Sequence, residues 1–586
     1  MIRPDKAVST SSQPAQSSLA RSRRFGIAAI ICVGLGVSLL VQSPGWAQAS
    51  YYGLVRAMGN GTAQIDKYHW EGGDKSWING HFYSVKSPGL PVVVLPLYGA
   101  LNLVGFDSLS KRAGETLMTD VSLYSPERKV NVTFFGGSTA RALEVRRTSA
   151  NSALMIWALT LLGSVVPALG IMFLTRSVAE RMEPGTGAAS SIALGMGTIF
   201  LPFSGMFFSH LIATFALFAG FVVLLRERAG PPSQKLLFLA GLLAGLAVFL
   251  EYPLAFGGVV IGAYAMLRQA DGAWNVGASV RRALAYSAGA LLGALPVAFY
   301  NLWAFGSVTT MSYQDTVAIP GRTGHDVIGL VNGGLFGIGV PKPLGYASIL
   351  LSPRGLFALT PILIMATLGV ILMYRRGKRA EALAIAGVAA IYWTYVAGYI
   401  WPMGGQVTGP RYMIPMLPFV GLGLPYAWKR FPSATLATAI VSSSIIVVAT
   451  VTNPLVKELG LSSWSRRLTA GDFQPTVFTL VGGGHGWASI LPVLGLFGLA
   501  GLLAALATWG LDFSRDRLAA AAVLGGWVLI AFVLAPHVRE IHDPVTVPVQ
   551  GLSARLIVGP ALLALLVVLG ANLWQRFAAQ GQRPSS

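Results

Sequence analysis

One short stretch of an otherwise apolar chain carries residue types that do chemistry. Between Ile65 and Gly89 it holds Asp66, Glu71 and Asp74, the lysines Lys67, Lys75 and Lys86, and both His69 and His81. A carboxylate at a membrane surface, beside aromatic rings able to stack on sugar faces, suits general-base work on a hydroxyl acceptor. Asp66 is such a carboxylate, with Tyr68 and Trp70 close by in sequence. Positive charge able to meet an anion would come from Arg, Lys, His or a metal. Lys86, Arg354 and Arg411 are the candidates, because each falls at the edge of an apolar run or loop. Every one of these residues also has a plainer reading. Asp66 makes a solvated loop acid or a pair with Lys67, and Asp74 next to Lys75 fits a local turn as well as a second functional carboxylate. His81 and Tyr83 either touch substrate or pack the loop, and Lys86 ahead of Ser87-Pro88-Gly89 also suits a headgroup anchor. Arg354 fits a turn, and Arg411 a membrane-boundary marker; against that, Gly409-Pro410 ahead of Arg411 predicts a helix start that would hold phosphate.

The elements that must position these residues are membrane helices. The 586 residues are 54% hydrophobic and only 11% charged, and the apolar residues come in long runs. A water-soluble core does not need such runs, so the composition predicts an all-α polytopic membrane protein. After a first run from Phe25 to about Val41, others cover about 152–175, 187–208, 209–226, 235–250, 253–268, 281–303 and 355–374. Further runs follow at about 381–400, 411–428, 433–452, 487–509, 517–536 and 555–575, giving about fourteen transmembrane helices in all. The formal net charge of +20 does not point to nucleic acid, because the basic residues sit in short clusters between apolar runs. Every second connection is basic, which predicts cytoplasmic termini and an outer face that carries the loop at Asp66. The single cysteine, Cys32, excludes an intrachain disulfide and a cysteine-based metal site.

This reading divides the chain into a cytoplasmic tail (1–24), a first span (25–47), a long first extracytoplasmic loop (48–150), a bundle (151–430) and a C-terminal set of helices and outer loops (431–586). The first run also resembles a signal peptide, with Ala47-Gln48-Ala49 as a cleavage-like site, but its length favours an uncleaved span. Within the loop, Leu90 to Phe106 carries Pro91 and Pro96 and reads as an interfacial or re-entrant helix. Lys129 to Phe135 has strand character. Glu251 is the acid set deepest among apolar residues, and His210 follows Ser209 at another outer turn. The spacing of Gly241 and Gly245 predicts close helix packing. Gly482-Gly483-Gly484 lacks the strand, helix and Gly-Lys-Ser/Thr of a nucleotide loop, so ATP use is not supported.

The pattern Asp66-x-Tyr68, Asp74-Lys75, Gly80-His81-x-Tyr83-Ser84-x-Lys86-x-Pro88-Gly89 and Leu95-Pro96-x-Tyr98 resembles the first extracytoplasmic loop of GT-C glycosyltransferases. More narrowly it is similar to the bacterial branch related to protein O-mannosyltransferases. Glu251-Tyr252-Pro253, Leu351-Ser352-Pro353-Arg354-Gly355 and Gly409-Pro410-Arg411-Tyr412 follow in the expected order. The resemblance implies an inverting glycosyltransferase of the cytoplasmic (inner) membrane. It would move a sugar from a polyprenyl-phosphate-linked donor to a glycan, lipid or protein acceptor on the periplasmic or exterior face. Asp66 matches the base, with Asp74, His81, Tyr83, Lys86, Arg354 and Arg411 as substrate-binding candidates. No cofactor is required by the sequence, although Asp66 and Asp74 are compatible with a divalent ion. Partners are the donor, the acceptor and membrane lipids, with no nucleic acid. The alternatives are a multi-span transporter or flippase for an amphipathic anion, which needs charges near the bilayer midplane, and a catalytically silent scaffold.

Overall fold

A computed structural model describes residues 13–120, 138–268, 275–315, 338–455, 460–508, 510–541, 546–547 and 554–580. The described chain is helical apart from two small antiparallel sheets. One pairs Lys75–Ile78 (β1) with His81–Ser84 (β2), the other Glu540–Ile541 (β3) with Thr546–Val547 (β4). The chain is a polytopic membrane protein: eight helices among the described residues are long and apolar enough to cross a bilayer, or up to ten if two bent pairs are each one span. The expected strand at Lys129 to Phe135 lies outside the described residues.

The span count differs from the number of apolar runs because hydropathy does not register breaks. The run at 187–208 divides into helices Gly187–Gly197 and Phe200–Ser204, with Pro202 in the second piece. The run at 411–428 divides into Arg411–Met416, Leu417–Gly421 and Leu424–Arg430. Pro415, Pro418 and Pro425 each withhold an N–H from a continuing ladder. Residues 235–250 and 253–268 form the short apolar helices Gln234–Leu250 and Leu254–Met266. At the N-terminus, helix Gln13–Ser38 stops before Pro44, and a separate 14-residue helix, Trp46–Gly59, leads into the first loop. The segment read as interfacial or re-entrant is helix Gly89–Leu103, which meets Phe106–Thr119 at 88°.

Two contacts show how the bundle closes. A Cβ on Gly241 would stand 1.9 Å from the Tyr286 carbonyl oxygen, and one on Gly245 would stand 2.0 Å from that of Ala290. Gly289 and Gly293 answer from the facing helix, Val276–Phe305, at 2.0 and 2.2 Å from Phe238 and Leu242 oxygens. Backbone meets backbone here, which is the close packing that the glycine spacing predicts. Near the same end of these helices, Glu227 is buried between Arg282 (2.7 and 2.8 Å) and Arg268 (3.0 Å). A lone carboxylate there would carry its full desolvation cost, and the two guanidinium groups offset it.

Candidate active site

The polar stretch of the first loop folds as a hairpin. Asn79 and Gly80 turn the chain with φ of 49° and 87°, the paired positive values of a two-residue type I′ turn. The far edge of β2 takes one more partner: Gln64 bridges Tyr83, and Ile65 N–H donates to Phe82 O at 2.8 Å. Antiparallel register then sets residue 66 opposite residue 81. The Asp66 carboxylate accepts from Phe82 N–H at 2.7 Å and lies 2.8 Å from His81 Nδ1. Beside an ionised carboxylate, Nδ1 is the donor, which fixes the tautomer of a neutral ring. Both side chains are more than two-fifths exposed, so an acceptor has access to the pair.

The loop is held in place by its own cations. Arg56 forms a two-pronged pair with Glu71, at 2.9 and 2.5 Å, and lies 4.3 and 4.0 Å from the ring centres of Tyr52 and Tyr68. Lys75 Nζ donates to His69 O at 2.8 Å and sits 3.3 Å from its Nδ1. Burial, and then the Lys75 charge, push His69 down to about 4, so its ring stays neutral and stacks on Phe82 at 4.0 Å.

At the open end of the hairpin the chain enters the bundle through Lys86-Ser87-Pro88-Gly89. Gly89 is required there, because a Cβ would stand 2.6 Å from Leu250 Cα. Ser87 Oγ accepts from Tyr252 N–H at 3.3 Å. This docking brings Lys86 beside the turn that carries Glu251. Lys86 Nζ is 2.6 Å from Asp74, and both side chains are 12% exposed. Glu251 lies 3.2 Å from the Tyr51 hydroxyl, accepts from Ser209 Oγ, and is 3.6 Å from His210 Nδ1. Lys86 and Arg411 are electrostatic neighbours of both Glu251 and His210, and Asp74 is one of Arg411.

Arg411 is buried and 5.3 Å from the Phe208 ring centre, with Nη2 3.1 Å from the Tyr412 hydroxyl. Gly404, at φ +71°, makes room for it, since a Cβ would meet Arg411 Cγ at 2.7 Å. Tyr395, Tyr399 and Tyr412 gather alongside, with ring centres 5.0 to 6.2 Å apart. Among the described residues, Arg411 Nε and His210 Nε2 are buried without a hydrogen-bond partner. The unsatisfied Arg411 Nε is a buried charged donor that suits an anion, whereas His210 Nε2, with Nδ1 turned to Glu251, is free to accept a hydrogen bond.

The candidate residues therefore divide. Asp74, Lys86 and Arg411 come together, while His81 stays with Asp66 at the turn end of the hairpin. Tyr83 is 4% exposed and packs 5.0 Å from the Phe305 ring centre. The Arg354 guanidinium donates to both oxygens of Glu540 and to the Gly405 and Val407 carbonyls, so its donors serve the fold. Arg411 opens a 3-10 helix of only six residues, so its side chain carries the positive charge in place of the helix start expected there. Asp66 and Asp74 engage different partners and form no shared cation site. No group of three His, Cys, Asp or Glu side chains gathers among the described residues. Tyr51 is the residue that sequence reasoning missed; nothing local marks it, and its partners lie 158 and 200 positions away.

No family model and no curated protein matches the sequence. Among solved structures, the chain is similar to ArnT from Cupriavidus metallidurans bound to undecaprenyl phosphate. The identity is 11% and the TM-score 0.43, over 92% of this chain and 87% of that one. It is also similar to the archaeal oligosaccharyltransferase AglB from Archaeoglobus fulgidus, in complex with an inhibitory peptide and a dolichol-phosphate. There the identity is 12% and the TM-score 0.39, over 83% of this chain and 56% of that one. Neither match bears the name of the protein O-mannosyltransferase branch to which the loop motif has its narrower resemblance.

Proposed function

We propose that the chain is an inverting glycosyltransferase that uses a polyprenyl-phosphate-linked sugar at the outer face of the cytoplasmic membrane. The observation that carries this reading is the buried Arg411, with an unsatisfied Nε donor, clustered with Lys86 about Glu251 and His210 at the same end of the bundle as the accessible Asp66. The donor phosphate enters that cluster with its prenyl chain in the bilayer. The sugar lies against Tyr395, Tyr399 and Tyr412, which offer stacking faces. Asp66, oriented by His81, takes the proton of the acceptor hydroxyl as its oxygen bonds to the anomeric carbon. The bond from that carbon to the phosphate oxygen breaks with inversion, and polyprenyl phosphate leaves with the electron pair. Lys86 and Arg411 stabilise the charge that grows on the phosphate. Asp74 holds Lys86, and the Tyr51, Ser209 and Glu251 network holds His210.

β2 and the following turn separate His81 from Lys86 by at most roughly 17 Å of extended chain. The transporter alternative lacks a comparable basis, because the buried charged groups sit toward helix ends, with Glu227 and Arg282 at one end and Glu251 and Arg411 at the other. The test is turnover by the purified protein in vesicles supplied with polyprenyl-phosphate sugars and acceptor extracts. Release of polyprenyl phosphate coupled to a new glycoside supports the reading. Movement of an intact donor across the bilayer without bond cleavage refutes it.

A further inference from the structure

The helix that begins at His210 in the candidate site ends at Ala229, 20 residues on. At 1.5 Å per residue that is about 30 Å, one hydrocarbon thickness. A second cavity, of about 520 Å³, opens at this far end between that helix, the end of Val166–Met182 and the start of Arg379–Gly398. Arg181, Arg226, Arg228 and Lys378 line it against one carboxylate, Glu381. Val178, Met182 and Leu225 supply an apolar wall.

The surrounding acids are already engaged, which leaves this cavity cationic. Glu227, between the two arginines in sequence, is buried toward Arg268 and Arg282. Glu180 accepts from the Gly185 and Gly187 N–H groups, and Glu183 pairs with Arg376. Glu381 sits 3.6 Å from Arg228 Nε and accepts from the Tyr264 hydroxyl at 3.2 Å. Arg228 is placed over the Tyr264 ring at 4.8 Å. Arg181, Arg226 and Lys378 have no carboxylate partner among the described residues.

We infer that this cavity binds the phosphate headgroup of an anionic phospholipid in the leaflet opposite the candidate active site. Three unpaired cations meet the phosphate, and the apolar wall meets the glycerol and upper acyl chains. A basic pocket between spans at the membrane interface is suited to such a headgroup. The inference is independent of the glycosyltransferase reading, since it uses none of those residues.

The test places the purified protein in phosphatidylcholine vesicles with and without cardiolipin, and follows thermal unfolding together with lipid retention by native mass spectrometry. Cardiolipin is expected to raise the unfolding midpoint of the wild type. Arg226→Ala/Lys378→Ala should retain it about thirtyfold less well, from two lost cation contacts. Lys429→Ala/Arg430→Ala, which removes equal charge at the same end but outside the cavity, should behave as wild type. Equal loss in both variants means a diffuse basic surface and overturns the site. Inorganic phosphate alone reproducing the full shift means a free anion and overturns the lipid assignment. If the alanine pair does not fold, Arg226→Gln/Lys378→Gln replaces it. Wild-type protein that retains phosphatidylethanolamine as well as cardiolipin overturns the inference without any variant.

Discussion

Replacing Asp66 with Asn removes the base while leaving its surroundings nearly intact. The Asn carbonyl oxygen still accepts from Phe82 N–H, and the amide group donates to His81 Nδ1 once that ring changes tautomer. Both side chains are more than two-fifths exposed, so losing the carboxylate beside the imidazole costs at most about 1 kcal/mol of stability. A positioned general base contributes roughly 10²- to 10⁴-fold, which is about 2.7 to 5.5 kcal/mol of barrier. Asp66→Asn should therefore fold, keep its affinity for donor, and transfer sugar more slowly by that factor. The assay is single-turnover transfer from a labelled polyprenyl-phosphate sugar in vesicles, with donor binding and thermal unfolding measured on the same preparation. A variant that transfers at the wild-type rate refutes the role of Asp66. If Glu251→Gln instead abolishes transfer with donor binding unchanged, the base is the carboxylate inside the cluster.

Three other outcomes are expected. Arg411→Ala should raise the KM for donor by about 10- to 100-fold, the value of one charged hydrogen-bonding group, with the KM for acceptor little changed; equal effects on both substrates would count against a phosphate role. Arg354→Ala leaves Glu540 buried with its main partner gone, and should lower stability by about 3 to 5 kcal/mol in a denaturation curve while surviving protein keeps its KM values. The third concerns pH. His69 is neutral down to about 4 in the folded loop and protonates near 6.5 when unfolded, so the unfolded state takes up the proton first and stability falls on acidification between those values. His69→Phe keeps the ring stacked on Phe82, so its unfolding midpoint should fall less steeply over the same range. Parallel pH curves for the two proteins would refute the assignment.

The sequence carried those features that depend on local pattern. Composition set the class, and Gly241 with Gly245 marked a close helix contact. It also singled out the first loop, because charged residues there stand out against an apolar chain. What it did not carry is pairing over distance. Nothing near Arg354 in sequence marks Glu540, 186 positions away, as the partner of its guanidinium. Glu251 and His210 were ambiguous turn residues until Lys86, Tyr51 and Arg411 converged on them. Hydropathy counted apolar length rather than helix continuity, so prolines that divide a run were invisible to it.

The bridge between Gln64 and Tyr83 bears on how this loop tolerates changes in length. Side chains alternate across a strand, so one residue inserted between Gln64 and Asp66 would turn the carboxylate away from His81 with every functional group still present in the sequence. Two inserted residues would restore the facing but carry the carboxylate about 7 Å along the strand, past His81 and into line with the turn. The pair of Asp66 and His81 therefore fixes both the parity and the length of this segment.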